Sequence, residues 1–513
     1  MKYVFVFAAC LLGTSSAVAQ SHFKFFESVD PPRPVQVMAH RGMAMLAPEN
    51  SLQAVLACAD DFIEWAEVDV RLTKDGQHVV IHNDLIDSTT NGRGRISDHT
   101  LAELKQLDAG SWFAPRFAGV RLQSLAEVLA AAKGKVNLYL DCKQIEPEML
   151  VREIRTAAME SQVVVFDEPA MLGKVHAASS GAIATMTKFR PSEMPLADFV
   201  KAADPAAVEL DADDVTPERC REFHDRGVKV EAKVLGERWD NAATWNKMID
   251  AGVDWLQTDD PAGLRAVEIR RRIKDFPVKI ACHRGANRYA PENTAAAIKT
   301  AAALGADYIE IDIRTTSDGK FVLMHDATVD DTTNGAGPVR QHSAEDIAKL
   351  DAGAKFGKKY AKTRVPTFYE GLAALGDHAS VYLDAKDIAP DALLTAIRKH
   401  GLMKRHVVYQ SAEYGRQLQR LEPQIRMLLP LKSADDVDRL ATLKPFGFDT
   451  EWSILSKALI DRCHAAGIQV FSDALGPHET LDDYRQAIRW GIDVIQTDHP
   501  LKVLRAIELE SKR

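Results

Sequence analysis

The residues of this sequence that can do chemistry come in two matched sets. His40-Arg41-Gly42 returns as His283-Arg284-Gly285, Pro48-Glu49-Asn50 as Pro291-Glu292-Asn293, and Glu67-x-Asp69 as Glu310-x-Asp312. His82 returns as His325, and Asp141-x-Lys143 as Asp384-x-Lys386, each pair 243 positions apart. Apolar positions drift between the copies, as Val55 does to Ile298, while these polar ones hold. Glu67 and Asp69, two apart on a strand, share one face. Inward carboxylates in a buried sheet need a cation or hydrogen-bond donors. With Asp141 they make a hard oxygen site suited to Mg2+ or Ca2+. The alternative is that Lys143 and Arg41 neutralise the acids without a metal. A lone histidine is more often a satisfied core residue than a catalyst, but His40 and His82 are both repeated and both fall beside the acids. Imidazole exchanges protons near neutral pH. A dication with Arg41 and Lys143 would neutralise a phosphoryl group, so the combination points to phosphodiester cleavage. Acyl transfer and zinc proteolysis are disfavoured, since no Gly-x-Ser-x-Gly elbow and no His-Glu-x-x-His helix is present.

These residues must be positioned by a repeated domain, because a period this long exceeds any solenoid unit. Within the first copy, β-branched runs alternate with helical patterns. Strands are expected at 35–39, 65–70, 78–82, 136–141, 163–166, 183–187, 207–210, 228–233 and 255–258, and helices at 51–59, 100–107, 122–132, 147–159 and 217–226. Such alternation predicts an α/β fold of two tandem (β/α)8 TIM barrels. Nine strand candidates are one too many for a barrel, and 207–210 is the suspected extra. His40, Glu67/Asp69, His82, Asp141 and Thr258-Asp259 then lie at the C-terminal ends of strands, the face where such barrels keep their active sites. Asn50 or Ser51 reads as a helix cap, Glu49 as a brace for Arg41, and Gly42 and Gly285 as points of close backbone approach to substrate.

The expected organisation is a signal peptide over 1–19, a leader over 20–34, one barrel over 35–272 and a second over 278–513. Lys2, the apolar run Val4–Leu12 and the small residues Ala17-Val18-Ala19 before Gln20 make the signal. The protein is therefore expected to be exported, to a periplasm or beyond the cell, without stable membrane insertion. A net charge of −9 argues against nucleic acid as partner. Arg270-Arg271-Arg272 reads as a solvated helix end. Cys58, Cys142, Cys220, Cys282 and Cys463 are too few for a disulfide framework and read as buried small hydrophobes.

In order and spacing, His-Arg-Gly, Pro-Glu-Asn, Glu-x-Asp, His before a Thr-Thr-x-Gly loop, acid-x-Lys and the late Thr-Asp resemble the glycerophosphodiester phosphodiesterase family, across almost all of both copies. The resemblance implies a TIM barrel and one divalent metal per barrel. Its ligands would be Glu67, Asp69 and Asp141 in one barrel and Glu310, Asp312 and Asp384 in the other. It implies general acid and base roles for His40 with His82 and for His283 with His325. Arg41, Lys143, Arg284 and Lys386 would bind substrate. The implied reaction converts glycerophosphodiesters, the deacylated phospholipids, to glycerol 3-phosphate and an alcohol. There are departures. The fourth-strand acid is Asp where the family often has Glu, His325-Asp326 becomes His82-Asn83 in copy one, and Thr497-Asp498-His499-Pro500 becomes Thr258-Asp259-Asp260-Pro261. Asn83 and Asp260 motivate a rival in which only the second barrel is catalytic and the first binds phosphodiester. A second rival is a phospholipase of the phosphatidylinositol or sphingomyelinase D kind acting on intact lipid, with Trp112-Phe113 as its membrane-seeking tip.

Overall fold

A computed structural model of the chain describes residues 23–377 and 379–511; the expected signal peptide over 1–19 lies outside them. The first barrel is built from β1 (Gln36–Ala39), β2 (Trp65–Leu72), β3 (His78–Val80), β4 (Asn137–Cys142), β5 (Val163–Phe166), β6 (Ala184–Lys188), β7 (Ala207–Asp211), β8 (Lys229–Lys233) and β9 (Trp255–Thr258). The second uses β10 (Lys279–Cys282), β11 (Tyr308–Thr315), β12 (Phe321–Leu323), β13 (Ser380–Ala385), β14 (His406–Tyr409), β15 (Met427–Leu431), β16 (Gly447–Glu451), β17 (Gln469–Asp473) and β18 (Val494–Thr497). In each copy eight parallel strands close on themselves, β1 pairing with both β9 and β2, and β10 with both β18 and β11. Both units are (β/α)8 barrels.

The ninth strand is not the one expected. The segment at 207–210 is a full barrel member, paired in parallel with both neighbours. The extra strand is β3, which folds back antiparallel onto β2 as a hairpin arm outside the barrel wall. Thr73 and Gly76 make the tight turn between them, through Gly76 N–H to Thr73 O at 2.9 Å, and so short a link cannot make a parallel crossover. Helices begin where caps are available. Ser51 Oγ and Thr294 Oγ1 accept from Ala54 and Ala297 N–H, both at 3.2 Å, at the head of the helices Leu52–Asp60 and Ala295–Ala303.

Alternation along the strands sorts two cores. Val37, Val68, Leu138 and Leu140 face the helices. Met38, Trp65, Tyr139 and Trp255 fill the barrel interior below the acids. Residues 23–34 of the expected leader pack against the barrel floor. Half-buried Phe25 lies edge-on to Trp65 and Trp255, at 5.4 and 5.1 Å between ring centres, and Phe26 pairs by backbone with Ser161.

The two barrels share one interface made from equivalent parts. Their last helices, Pro261–Arg272 and Pro500–Glu510, pack together. Each carries the same Leu-Arg-Ala-x-Glu stretch, so Arg265 pairs with Glu268 at 2.7 Å and Arg505 with Glu508 at 3.2 Å. Arg33 reaches in to Glu64 at 2.7 Å and Glu508 at 2.5 Å, and Arg272 bridges Glu268 and Glu508. The basic run is thus not a solvated helix end. Arg272 holds the two helices together, Arg271 pairs with Asp250, and Arg270 stacks over Phe276 at 4.6 Å. A second contact sets Arg288 and the Tyr289 hydroxyl on buried Asp61, both at 3.0 Å. A third joins equivalent loops: Lys358 N–H donates to Phe113 O at 2.7 Å, and Arg116 lies between the Phe117 and Phe356 rings at 4.9 and 5.0 Å. Phe113 is therefore docked on the other barrel rather than offered to a membrane. Among the described residues, no helix is long and apolar enough to cross a membrane, and all five described cysteines are buried and unpaired.

Breaking such a buried network by removing one charge costs about 3–5 kcal/mol, and Glu508→Gln is expected to lower stability to that extent. Burial would raise the Glu508 carboxyl, but hydrogen bonds and charge from Arg33, with help from Arg265 and Arg272, hold it at about 2, below the value of about 4.3 for an unfolded chain. Its contribution is complete above that unfolded value and is lost as pH falls toward 2. Urea midpoints between pH 6 and pH 2.5 should therefore fall less steeply in Glu508→Gln than in the native chain. Parallel slopes would remove Glu508 from the account.

Candidate active site

The strand register brings the acids together. Glu67 and Asp69 sit opposite Tyr139 and Asp141 across β2 and β4, and Glu310 and Asp312 sit opposite Tyr382 and Asp384 across β11 and β13. In each barrel one oxygen from each of the three carboxylates lies within 4.8 Å of the other two. Burial, then Asp69 and Asp141, push Glu67 well above the usual carboxylate range, and burial, Asp312 and Asp384 do the same to Glu310. Such a group asks for positive charge. Part of it comes from lysine: Lys143 Nζ lies 2.6 Å from Asp141 and 3.3 Å from Asp69, and Lys386 bonds Asp384 and sits 3.0 Å from Asp312. Burial opposes these ammoniums, but the acids outweigh it and raise both lysines.

The backbone around His-Arg-Gly and Pro-Glu-Asn is bent to serve the same acids. Arg41 and Arg284 take left-handed conformations, with φ of 57° and 51°, and turn their N–H groups onto Glu67 at 2.7 Å and Glu310 at 2.6 Å. Asn50 and Asn293 are also left-handed, at φ 59° and 55°. Asn50 is not a cap, a role that falls to Ser51. Its amide N–H donates to Asp69 at 2.8 Å while its carbonyl accepts from the Asp69 N–H at 2.9 Å, and Asn293 repeats this on Asp312. Left-handed non-glycine residues cost on the order of 1 kcal/mol each and persist where the surroundings dictate them. Glu49 braces Arg41 at 2.8 Å, as expected, and Glu292 braces Arg284 at 3.0 Å. Gly42 and Gly285 do allow a close approach, but to the neighbouring helix rather than to substrate. A Cβ there would meet the backbone of Ala54 or Ala297 at 2.8 or 2.7 Å.

The histidines are held from behind. His40 Nδ1 lies 2.7 Å from Asp259 and His283 Nδ1 lies 2.8 Å from Asp498. These aspartates are in turn fixed by backbone N–H bonds to Asp240 and Glu479, at 2.7 and 2.6 Å. Hydrogen bonding to His40 depresses Asp259; burial would raise Asp498, but His283 and Asn287 pull it down. His82 and His325 hold their neighbours Asn83 and Asp326 at 2.8 Å, and their carbonyls accept from Arg71 and Arg314. Arg71 and Arg314 repeat at the same 243-residue spacing, and Asp240 and Glu479 each stand 19 residues before the aspartate they hold, so their repetition was the signal that could have found them. Asp259 and Asp498 could have been read from their place after the last strand of each copy.

In the second barrel, His283, Arg284, Glu310, Asp384 and Lys386 line one cavity of about 240 Å3 together with His325. A second space of about 420 Å3 lies across the interface, where Arg116 of the first barrel faces Asn287, Glu292, Asp498 and His499 of the second. The donor set of each triad is all oxygen, matching a hard dication. In the first barrel Glu67 Oε1 is buried with no hydrogen-bond partner, an orphaned ligand atom that a metal would satisfy. Fold and site together define a barrel hydrolase of anionic esters, written twice.

Comparison with known proteins agrees. The model of the glycerophosphoryl diester phosphodiesterase family matches residues 40–263 and again 283–502. The chain is 34% identical over 244 residues to a glycerophosphodiester phosphodiesterase of Caldanaerobacter subterraneus, covering 44% of this chain and 97% of that protein. It is 32% identical over 246 residues to one from Bacillus subtilis, covering 42% and 82%. A solved glycerophosphodiester phosphodiesterase from Agrobacterium tumefaciens is 31% identical, with a TM-score of 0.41, covering 44% of this chain and 99% of that one. The chain belongs to the glycerophosphoryl diester phosphodiesterase family, with one family domain per barrel, and is a phosphodiesterase.

If Asn50 and Asn293 orient the acids, Asn50→Gly and Asn293→Gly, which tolerate the left-handed backbone, should weaken the apparent affinity for added Mg2+ or Ca2+ by about 10- to 100-fold. Titration of activity against metal checks this, and unchanged metal dependence would reduce the asparagines to scaffolding.

Proposed function

We propose that each barrel hydrolyses glycerophosphodiesters to glycerol 3-phosphate and an alcohol, using one Mg2+ or Ca2+ held by Glu67, Asp69 and Asp141 or by Glu310, Asp312 and Asp384. The observation that carries this is the convergence of three carboxylates with an arginine–lysine pair in both copies, joined in the second by both histidines in one cavity. The name of the 34% identical relative supports the same reaction. A bound dication would neutralise the phosphoryl oxygens and polarise phosphorus. Arg41 and Lys143, or Arg284 and Lys386, hold the phosphodiester against the acids. Water attacks phosphorus and the bond to the alcohol breaks. One histidine takes the proton from water and the other gives a proton to the departing alkoxide. An imidazole whose Nδ1–H is bonded to Asp259 or Asp498 presents a lone pair at Nε2, the state that accepts a proton.

Both barrels are read as active. Asn83 still gives His82 Nδ1 an oxygen partner, and Asp260 caps the helix Pro261–Arg272 by accepting from Gly263 N–H at 2.9 Å. The two departures that motivated a silent first barrel thus leave its site furnished. The lipase reading loses its motive where Phe113 docks on the partner barrel. The chain's charge of −9 fits a small-molecule substrate rather than nucleic acid. We also propose export, on the strength of the first nineteen residues.

Glycerol 3-phosphate release from glycerophosphoethanolamine should be abolished by chelator. His40→Ala and His283→Ala should each remove the share of one barrel, and the double variant should lose activity by about 100- to 10,000-fold. Loss from His283→Ala alone would make the first barrel a binding module. No release from any form, with metal restored, would move the search to intact lipids.

A further inference from the structure

The machinery is duplicated faithfully, but the walls facing it are not. On the fifth barrel strand the first copy has Lys188 on β6, in register with Glu209, where the second has Pro430 on β15, in register with Asp449. At the third and fifth residues of the next but one strand it has Glu231 and Lys233 on β8, against Phe471 and Asp473 on β17. On the strand between them Glu209 stands where the second barrel has Asp449.

In the second barrel these changes leave a wall made of acceptors. Asp449, Asp473, Tyr409 and Gln496 line the same cavity as the histidines and the triad. Asp449 receives the Tyr382 hydroxyl at 3.2 Å and Asp473 the Leu475 N–H at 2.9 Å. The Gln496 side-chain carbonyl, buried without a partner, is common to both barrels, since Gln257 repeats it. Among the described residues, the arginine and lysine lining this cavity are Arg284 and Lys386, paired with Glu292 and Asp384. Burial and Asp473 push the Asp449 carboxyl up to about 7.

In the first barrel the same wall carries two ammoniums. Lys188 lies 2.6 Å from Asp211 and 3.6 Å from Glu209, and Lys233 lies 3.6 Å from Glu209. Glu231 has both carboxylate oxygens buried without partners. Burial, then Glu209, push it well above the usual carboxylate range. Burial opposes the Lys233 ammonium, but Glu209, Glu231, Asp141 and Glu67 outweigh it and raise it, and Lys188 and Lys233 together offset the acids of this wall.

Every glycerophosphodiester shares the phosphate and the uncharged glycerol, so only the alcohol arm can respond to this difference. Resting on the reading that both barrels cleave such diesters, we propose that they differ in the charge they select on that arm. The second barrel, through Asp449 and Asp473, takes cationic alcohols; the first, where Lys188 and Lys233 offset the acids of the same wall, lacks that preference. Charge complementarity of this kind sets specificity by repelling the wrong partner as well as attracting the right one.

The test uses three diesters: glycerophosphocholine, with a cationic alcohol; glycerophosphoglycerol, with a neutral one; and bis(glycerophospho)glycerol, with a second phosphate. His40→Ala leaves the second barrel to work and His283→Ala the first. With kcat/KM measured at low salt, the second barrel should prefer the choline diester over the bis-phosphate by at least about tenfold and the first should show at most a much weaker preference, the second barrel's preference narrowing in 0.5 M salt as screening shortens the reach of charge. Asp473→Lys in the His40→Ala chain should shift the ratio toward that of the first barrel. Should one barrel turn over too slowly, calorimetry on the metal-loaded double histidine variant reads the same difference as one choline site tighter than the other, with the tighter site lost in Asp449→Asn/Asp473→Asn. Equal ratios in the two single-barrel chains, or both diesters binding at both sites alike, would overturn the proposal and leave the phosphodiesterase reading intact. Failure of all three diesters to be bound or cleaved would instead strike that reading itself.

Discussion

Three carboxylates held within 4.8 Å inside a barrel are the constraint on which the rest of this molecule depends. Like charges that close, out of water, repel strongly and pay a desolvation penalty. Everything around them answers it. Two peptide units are turned to the left-handed region so that an N–H and a side-chain amide meet the acids. A lysine two residues beyond the third acid curls back onto it. What these groups leave undone, shown by the partnerless Glu67 Oε1, is the opening for a dication.

The same constraint explains why the polar residues repeat while the core does not. A core position needs volume and apolarity, which Val or Ile can supply. The acid cluster needs particular atoms at particular places, and each loss exposes another buried charge. The walls further along the barrel are free of this demand, and there Lys188, Glu231 and Lys233 have parted from Pro430, Phe471 and Asp473. Meanwhile the barrels are bound through equivalent helices and a buried cluster of arginines and glutamates into which Arg33 is threaded. Duplication therefore supplied an interface as well as a second site.

Much of this was legible in the sequence because it rests on local pattern. The strand–helix alternation gave the barrels, and the spacing of Glu67 and Asp69 gave their shared face. The extra strand was misplaced because β3 has the same β-branched look as a barrel member; only its two-residue-scale turn from β2 distinguishes it. Of the two cap candidates Ser51 is the cap, and Asn50 was not separable from it in sequence because its partner, Asp69, lies on β2. The interface was opaque for the same reason. Arg270-Arg271-Arg272 looks like any basic helix end until Glu508, over two hundred residues away, is packed against it. Long-range pairing leaves no periodic trace.

The most direct test of the central claim is the number of divalent ions bound per chain at equilibrium, measured on the intact protein after metal removal and titration with Mg2+ or Ca2+. Two ions per chain are expected, falling to one in Glu67→Gln/Asp69→Asn and to one in Glu310→Gln/Asp312→Asn. A count unchanged by removing these carboxylates, or no binding by a folded chain, would contradict an account built on two buried triads.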